Sequence, residues 1–213
     1  MPADFPERAI LVIVMLVVAL PIHEFSHALA AYRLGDSTAR LFGRLTLNPV
    51  AHFDPIGGSL LAISVLLGSG FGWAKPTPVN PRNLRYGRWG EAIVAAAGPI
   101  SNFVLAVLGS VVLRALLAAG VDSLPVIDTI FLFIQINLLL MVFNLIPIPP
   151  LDGSAVLFAF LPASTAWSLR PILSQYGLLL LILLIVPIFG GEPILGAIFN
   201  AVLVPLLHFL VGA

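Results

Sequence analysis

The chain has no cysteine, and its charged side chains are few: 10 basic and 10 acidic among 213 residues, 9% of the total. The missing cysteine removes disulfides and thiolate ligands together, so any metal held here must rest on His, Asp or Glu. Soluble domains carry about 25% charged residues. A chain this poor in them, 60% hydrophobic with a mean hydropathy of +1.09, reads as a membrane protein. The charges cancel and the isoelectric point is near 6.9, so there is no basic surplus to bind nucleic acid. Internal repeats and a soluble domain are also lacking, and residues 1–213 read as a single domain. Asp4 and Glu7 precede the first apolar run and no small-residue cleavage site follows it, so that run is expected to stay as a span rather than leave as a signal peptide.

What the chain does contain is Pro21-Ile22-His23-Glu24-Phe25-Ser26-His27, set inside an apolar stretch. His23 and His27 are four residues apart, which on a helix places them on one face, one turn from each other. Two imidazoles so placed can reach one metal ion, and Glu24 can face a water on that ion. This is the His-Glu-x-x-His pattern of zinc hydrolases. The bland alternative is three ordinary helix residues at a membrane interface, but each is costly in hydrocarbon, which favours the metal.

The hydropathy pattern predicts an all-α polytopic membrane protein with about five transmembrane helices. These are residues 9–32, 91–118, 126–145, 176–189 and 194–211, of which the fourth is shorter than the roughly 20 residues that a bilayer demands. Met1 to Arg8 is a short polar lead-in expected to fray at the membrane surface. Asp122 and Asp128 fall in a short outer connection, Arg170 marks the cytoplasmic side before the fourth span, and Gly190-Gly191-Glu192-Pro193 turns outside. Residues 35–90 are irregular, rich in Gly and Pro, with a Gly-rich cluster at 68–72. The apolar piece 56–67 is too short to cross and is expected to be re-entrant or strand-like, shielded from lipid by protein. Arg33, Arg40 and Arg44 follow the first span and Lys75, Arg82, Arg85 and Arg88 precede the second. The positive-inside rule puts both groups on the cytoplasmic side, which requires 56–67 to return to the side it entered from.

Three spans then bring polar residues to similar depth: His23, Glu24 and His27 from the first, Asn102 from the second, and Asn144 with Asp152 beyond it from the third. A catalytic zinc site commonly uses two His and a carboxylate and leaves one position open. Asp152 is the best third ligand available, with a helix N-cap as its alternative. An amide of Asn102 or Asn144 can stabilise an oxyanion or can serve interhelical hydrogen bonding. His52 and Asp54 can approach or gate the metal, or pair within their loop. His208 reads as a packing residue.

The carriers His23-Glu24-Phe25-Ser26-His27, Gly98-Pro99-Ile100-Ser101-Asn102 and Asn144-Leu145-Ile146-Pro147 through Leu151-Asp152-Gly153 resemble those of the site-2 proteases, intramembrane zinc metalloproteases. The segments Leu47-Asn48-Pro49, His52-Phe53-Asp54-Pro55-Ile56-Gly57 and Phe71-Gly72-Trp73-Ala74-Lys75-Pro76 are most similar to the compact branch, without PDZ or CBS domains. The resemblance implies one zinc held by His23, His27 and Asp152, with Glu24 as the catalytic carboxylate and Asn102 and Asn144 near the substrate peptide. It implies transmembrane or membrane-anchored protein substrates, cut within or near the bilayer. The expected location is a bacterial or archaeal cell membrane with the site towards the cytoplasm. An extended substrate could add as a strand to the irregular region 48–81. The competing reading is a metal or ion transporter using the same His and Asp cluster, but the outer halves of the spans offer no continuing polar path. A proteolytically dead adaptor is disfavoured by the intact Glu24.

The topology is testable because the background has no native thiol. With Arg40→Cys, Arg85→Cys and Asp122→Cys made singly, an impermeant thiol reagent applied to intact cells should label only the Asp122 position. Labelling at Arg85 with protection at Arg40 would overturn the re-entrant reading.

Overall fold

A computed structural model describes residues 5–67, 72–187 and 193–212. The lead-in 1–4, the Gly-rich residues 68–71 with Phe71, and the Gly190–Glu192 turn lie outside the described residues. Helices α1 (Phe5–Ile13) and α2 (Leu20–Arg33) are joined through a π-helical turn at Val14–Ala19 into one continuous rod. Pro21 sits in the first turn of α2 and cannot donate to the turn before it, and the wide turn lies immediately upstream of that lost bond. Two short helices follow, α3 (Thr38–Leu41) and α4 (Pro49–His52), then α5 (Pro55–Leu66). The remaining helices are α6 (Arg88–Ala118), α7 (Leu124–Asn144), α8 (Asp152–Phe160), α9 (Ala163–Ile185) and α10 (Ile194–Val211).

Five of these stretches are long and apolar enough to cross a bilayer: Arg8–Arg33, Arg88–Ala118, Leu124–Asn144, Ala163–Ile185 and Ile194–Val211. The all-helical architecture is the expected one, and no strand occurs among the described residues. Helices satisfy their own backbone hydrogen bonds, which hydrocarbon requires. The fourth span begins 13 residues earlier than hydropathy suggests, at Ala163 rather than 176. Ser164, Thr165, Ser168 and Arg170 lower its hydropathy without breaking the helix, and Arg170 lies within α9, where it pairs with Glu91 at 2.8 Å. Asp128 is likewise inside α7, leaving Asp122 in the connection.

The 12-residue α5 resolves the short apolar piece. Asp54 caps it, accepting from the backbone of Ile56 at 3.0 Å and Gly57 at 2.7 Å, and Pro55 suits the first helical position. The helix runs back along the first span until Arg8 Nη1 bonds the Leu66 carbonyl at 2.8 Å. The chain then returns, because Trp73 N donates to Gly57 O and Lys75 N donates to His52 O at 2.9 Å. The segment is therefore re-entrant and helical rather than strand-like. A Cβ on Gly57 would lie 2.4 Å from the Trp73 ring, so only glycine lets the returning chain pack this closely.

Helix α6 is the hub, flanked by α2, α7 and α8. Small residues make that possible: a Cβ on Gly109 would already touch Ile134 and Phe133 at 3.0 Å. Ala106, Leu113, Ile134, Leu138, Leu207 and Leu210 form the buried cluster that ties α6 to α7 and α10.

At the end of the first span the basic segments meet. Arg85 N donates to Leu34 O at 2.9 Å, and the buried carboxylate of Asp36 accepts from Asn80 N, Asn83 Nδ2 and both donors of Thr38. Burial pushes the Asp36 carboxyl up, but the hydrogen bonds from Thr38, Asn83 and Asn80 outweigh it and hold it below the usual carboxylate value. Asp36→Ala should cost about 3 kcal/mol, since it strands donors that served a charged acceptor. The stabilisation is complete above the unfolded carboxyl value and fades as pH falls through the lower folded one. Thermal unfolding in detergent as a function of pH checks both, with the difference between wild type and variant shrinking in acid.

Candidate metal centre

His23 and His27 leave α2 on its α6-facing side, and both are buried. A Cβ on Gly98 would lie 2.4 Å from His27 Nε2 and 2.6 Å from His23 Cε1, so the bare backbone of α6 is what the two rings rest against. The third group arrives by a different route. Pro147, Pro149 and Pro150 prevent α7 from continuing, and α8 starts afresh at Asp152. Gly153 allows that start to press on the end of α7, where a Cβ would meet Leu145 O at 2.2 Å. The N-cap position is Leu151, and no side chain caps the helix. The capping role open to Asp152 from sequence is thus not the one it plays. Its Oδ2 instead lies 3.3 Å from both His23 Nε2 and His27 Nε2, buried and without a hydrogen-bond partner.

The protons can be assigned. His27 Nδ1 is 2.7 Å from the Val94 carbonyl oxygen, which can only accept, so Nδ1 carries the hydrogen. His23 Nδ1 is 2.6 Å from Asn102 Oδ1 and donates in the same way. With its hydrogen on Nδ1, each ring in its neutral form presents a lone pair at Nε2. The two Nε2 atoms are 3.0 Å apart, and with Asp152 Oδ2 they form a triangle of three acceptors facing one another. Lone pairs at that spacing repel unless a proton or a metal ion lies among them. A tetrahedral centre with bonds of about 2.0–2.1 Å sets its ligands about 3.3 Å apart, which the triangle matches. The three residues can hold a metal ion.

Glu24, half-buried on the next helix position, is tied to the irregular strap 72–80: Thr77 N donates to Glu24 Oε2 at 2.8 Å and Thr77 Oγ1 donates to the Glu24 carbonyl at 3.0 Å. Asn102 is fully buried behind His23 and also donates to Asn137 Oδ1 at 3.0 Å. Asn144 donates to Leu140 O in its own helix at 2.9 Å. His52 and Asp54 do not join the triangle and are not bonded to each other. His52 Nε2 bonds Thr46 O at 2.8 Å, and Asp54 caps α5. Sequence reasoning missed Asn137, Thr77 and the role of Gly98. For Asn137 the signal was present: a lone Asn two turns before Asn144 in an apolar span is costly unless partnered.

Gly98→Ala should weaken metal binding on the order of ten- to a hundredfold, the usual scale for disturbing ligand support. Metal titration of the folded variant, with helicity checked by circular dichroism, measures it.

Comparison with known proteins places this geometry. The model of peptidase family M50 matches residues 11–123 and 120–184. Two relatives carry the name "Putative zinc metalloprotease". YwhC of Bacillus subtilis is 37% identical over 194 residues, 89% of this chain and 85% of that protein. Rip2 of Mycolicibacterium smegmatis is 35% identical over 189 residues, 87% of this chain and 70% of that protein. No solved structure matches. The matched residues take in His23, His27, Gly98 and Asp152 alike, and the chain belongs to peptidase family M50, the site-2 protease family.

Proposed function

We propose that the chain is an intramembrane zinc metalloendopeptidase that hydrolyses peptide bonds of membrane-anchored proteins within or near the bilayer. The observation that carries this reading is the buried triangle of His23 Nε2, His27 Nε2 and Asp152 Oδ2, three metal-ligating atoms brought within 3.0–3.3 Å of one another. The names of the relatives indicate zinc as the ion. In this reading His23, His27 and Asp152 hold it. Bound zinc supplies Lewis acidity, polarising the scissile carbonyl and making water acidic enough to ionise near neutral pH.

The rest falls to the chain. Glu24, oriented by the Thr77 N–H, takes a proton from the attacking water and returns it to the amine as the C–N bond breaks. Asn102 acts from behind His23, as a support rather than an oxyanion donor, because its amide is already engaged on both ends. Asn144, at the end of α7 beside the turn that carries Asp152, is the amide left to meet substrate. A substrate helix must unwind before its carbonyl can be attacked. The irregular strap 72–80 runs past Glu24 and offers backbone groups for the unwound stretch. The basic residues gathered near the end of the first span, Arg85 next to Leu34 among them, favour a site towards the cytoplasm, in a bacterial or archaeal cell membrane; the relatives YwhC and Rip2 are bacterial.

Purified protein in detergent, given a single-span peptide, should cleave it and stop when a zinc chelator is added. Glu24→Gln should slow cleavage by roughly 10²–10⁴-fold, the range for losing a general base, while about one zinc per chain remains. Loss of zinc in that variant, read by elemental analysis, would make Glu24 a ligand and overturn the assignment.

A further inference from the structure

We infer that Asn137 is a positioning residue of the metal centre: it fixes the amide of Asn102 and, through it, the tautomer in which His23 presents a lone pair. The inference rests on the reading of His23 as a ligand. The two histidines are supported differently. His27 bonds a backbone carbonyl directly, and a carbonyl cannot turn round. His23 bonds a side-chain amide, and an amide can. With Asn102 turned over, its NH₂ would face His23 Nδ1, the ring would have to accept there, and the hydrogen would move to Nε2. That atom would then point an N–H at His27 Nε2 and Asp152 Oδ2 instead of a lone pair.

What forbids the turned amide is a chain of hydrogen bonds with one fixed end. The Phe133 carbonyl can only accept, so it takes Asn137 Nδ2 at 2.8 Å and leaves Asn137 Oδ1 facing the other way. That oxygen can only accept, so it takes Asn102 Nδ2 at 3.0 Å and leaves Asn102 Oδ1 towards His23. That oxygen accepts from His23 Nδ1 at 2.6 Å. The polarity of a backbone carbonyl in α7 is thereby relayed across α6 to a ring in α2. The other partner of the Asn102 amide, Ala19 O, is 3.5 Å away and holds it weakly. Asn102 and Asn137 are both fully buried, so no water competes for these groups. Supporting partners of ligating histidines act in this way in metal sites generally, typically tenfold to a hundredfold in affinity.

The test uses the full chain in detergent, zinc affinity by chelator competition, and the visible spectrum of the cobalt-loaded protein. Asn137→Leu keeps the branched outline of the side chain, though not its volume, and removes both polar ends. It should bind zinc about ten- to a hundredfold more weakly than wild type, with an altered cobalt spectrum. Asn102→Leu should lose at least as much, and the double variant should be no weaker than Asn102→Leu alone. Wild-type affinity in folded Asn137→Leu overturns the inference, as does a double variant whose loss is the product of the two single losses. A wild type that binds no zinc would instead sink the reading of the site itself. Should Asn137→Leu not fold, nitrogen NMR of ¹⁵N-histidine in the metal-free wild type decides. His23 is expected with its hydrogen on Nδ1, and a hydrogen on Nε2 overturns the proposal.

Discussion

Two imidazole nitrogens and a carboxylate oxygen that face each other across 3.0–3.3 Å repel, and the repulsion is strongest where no water screens it. Left alone, such a cluster would relieve itself by turning a ring or protonating a nitrogen. The surrounding fold removes the first escape for the rings. Each Nδ1 is held on an acceptor, and the rings are wedged against the backbone of Gly98. What relieves the repulsion must therefore come between the three atoms, as a proton or a metal ion. Much of the packing of α2, α6, α7 and α8 can be read as the means of keeping those atoms together.

That packing is built from close approaches rather than from bulky side chains. Gly98 brings α6 to the rings, Gly109 brings α7 to α6, and Gly153 brings α8 to the end of α7. Lipid tails are as apolar as leucine, so burying leucine between spans gains little, and dispersion contact at short range must do more. In this arrangement a methyl group added at a helix contact disturbs the chemistry directly, because the contact and the site share the same atoms.

The chemistry-bearing residues were the most legible part of the sequence. His23, Glu24 and His27 announce themselves by spacing alone, since 3.6 residues per turn leaves little choice of face. Asp152 was legible as an acid after a proline-rich helix end, but ligand and cap could not be told apart until the contact at Gly153 showed which way the carboxylate points. Asn102 was visible, yet its direction was not, because an amide can donate or accept and only neighbours 35 and 79 residues away decide which. The start of α9 was hidden for another reason. Hydropathy detects burial in lipid, and a helix that continues past the apolar layer with Ser164, Thr165 and Arg170 looks like its end.

The wide turn at Val14–Ala19 also has an angular meaning. Each residue of a regular helix advances the face by about 100°, so a turn that holds one residue more than its neighbours resets the azimuth of everything after it. Upstream of that turn the rod meets α5, and downstream it meets α6. The extra residue works as a phase shift between two contact surfaces on one span: the re-entrant helix and the metal-bearing core can each be served by a face that a regular helix would have pointed elsewhere.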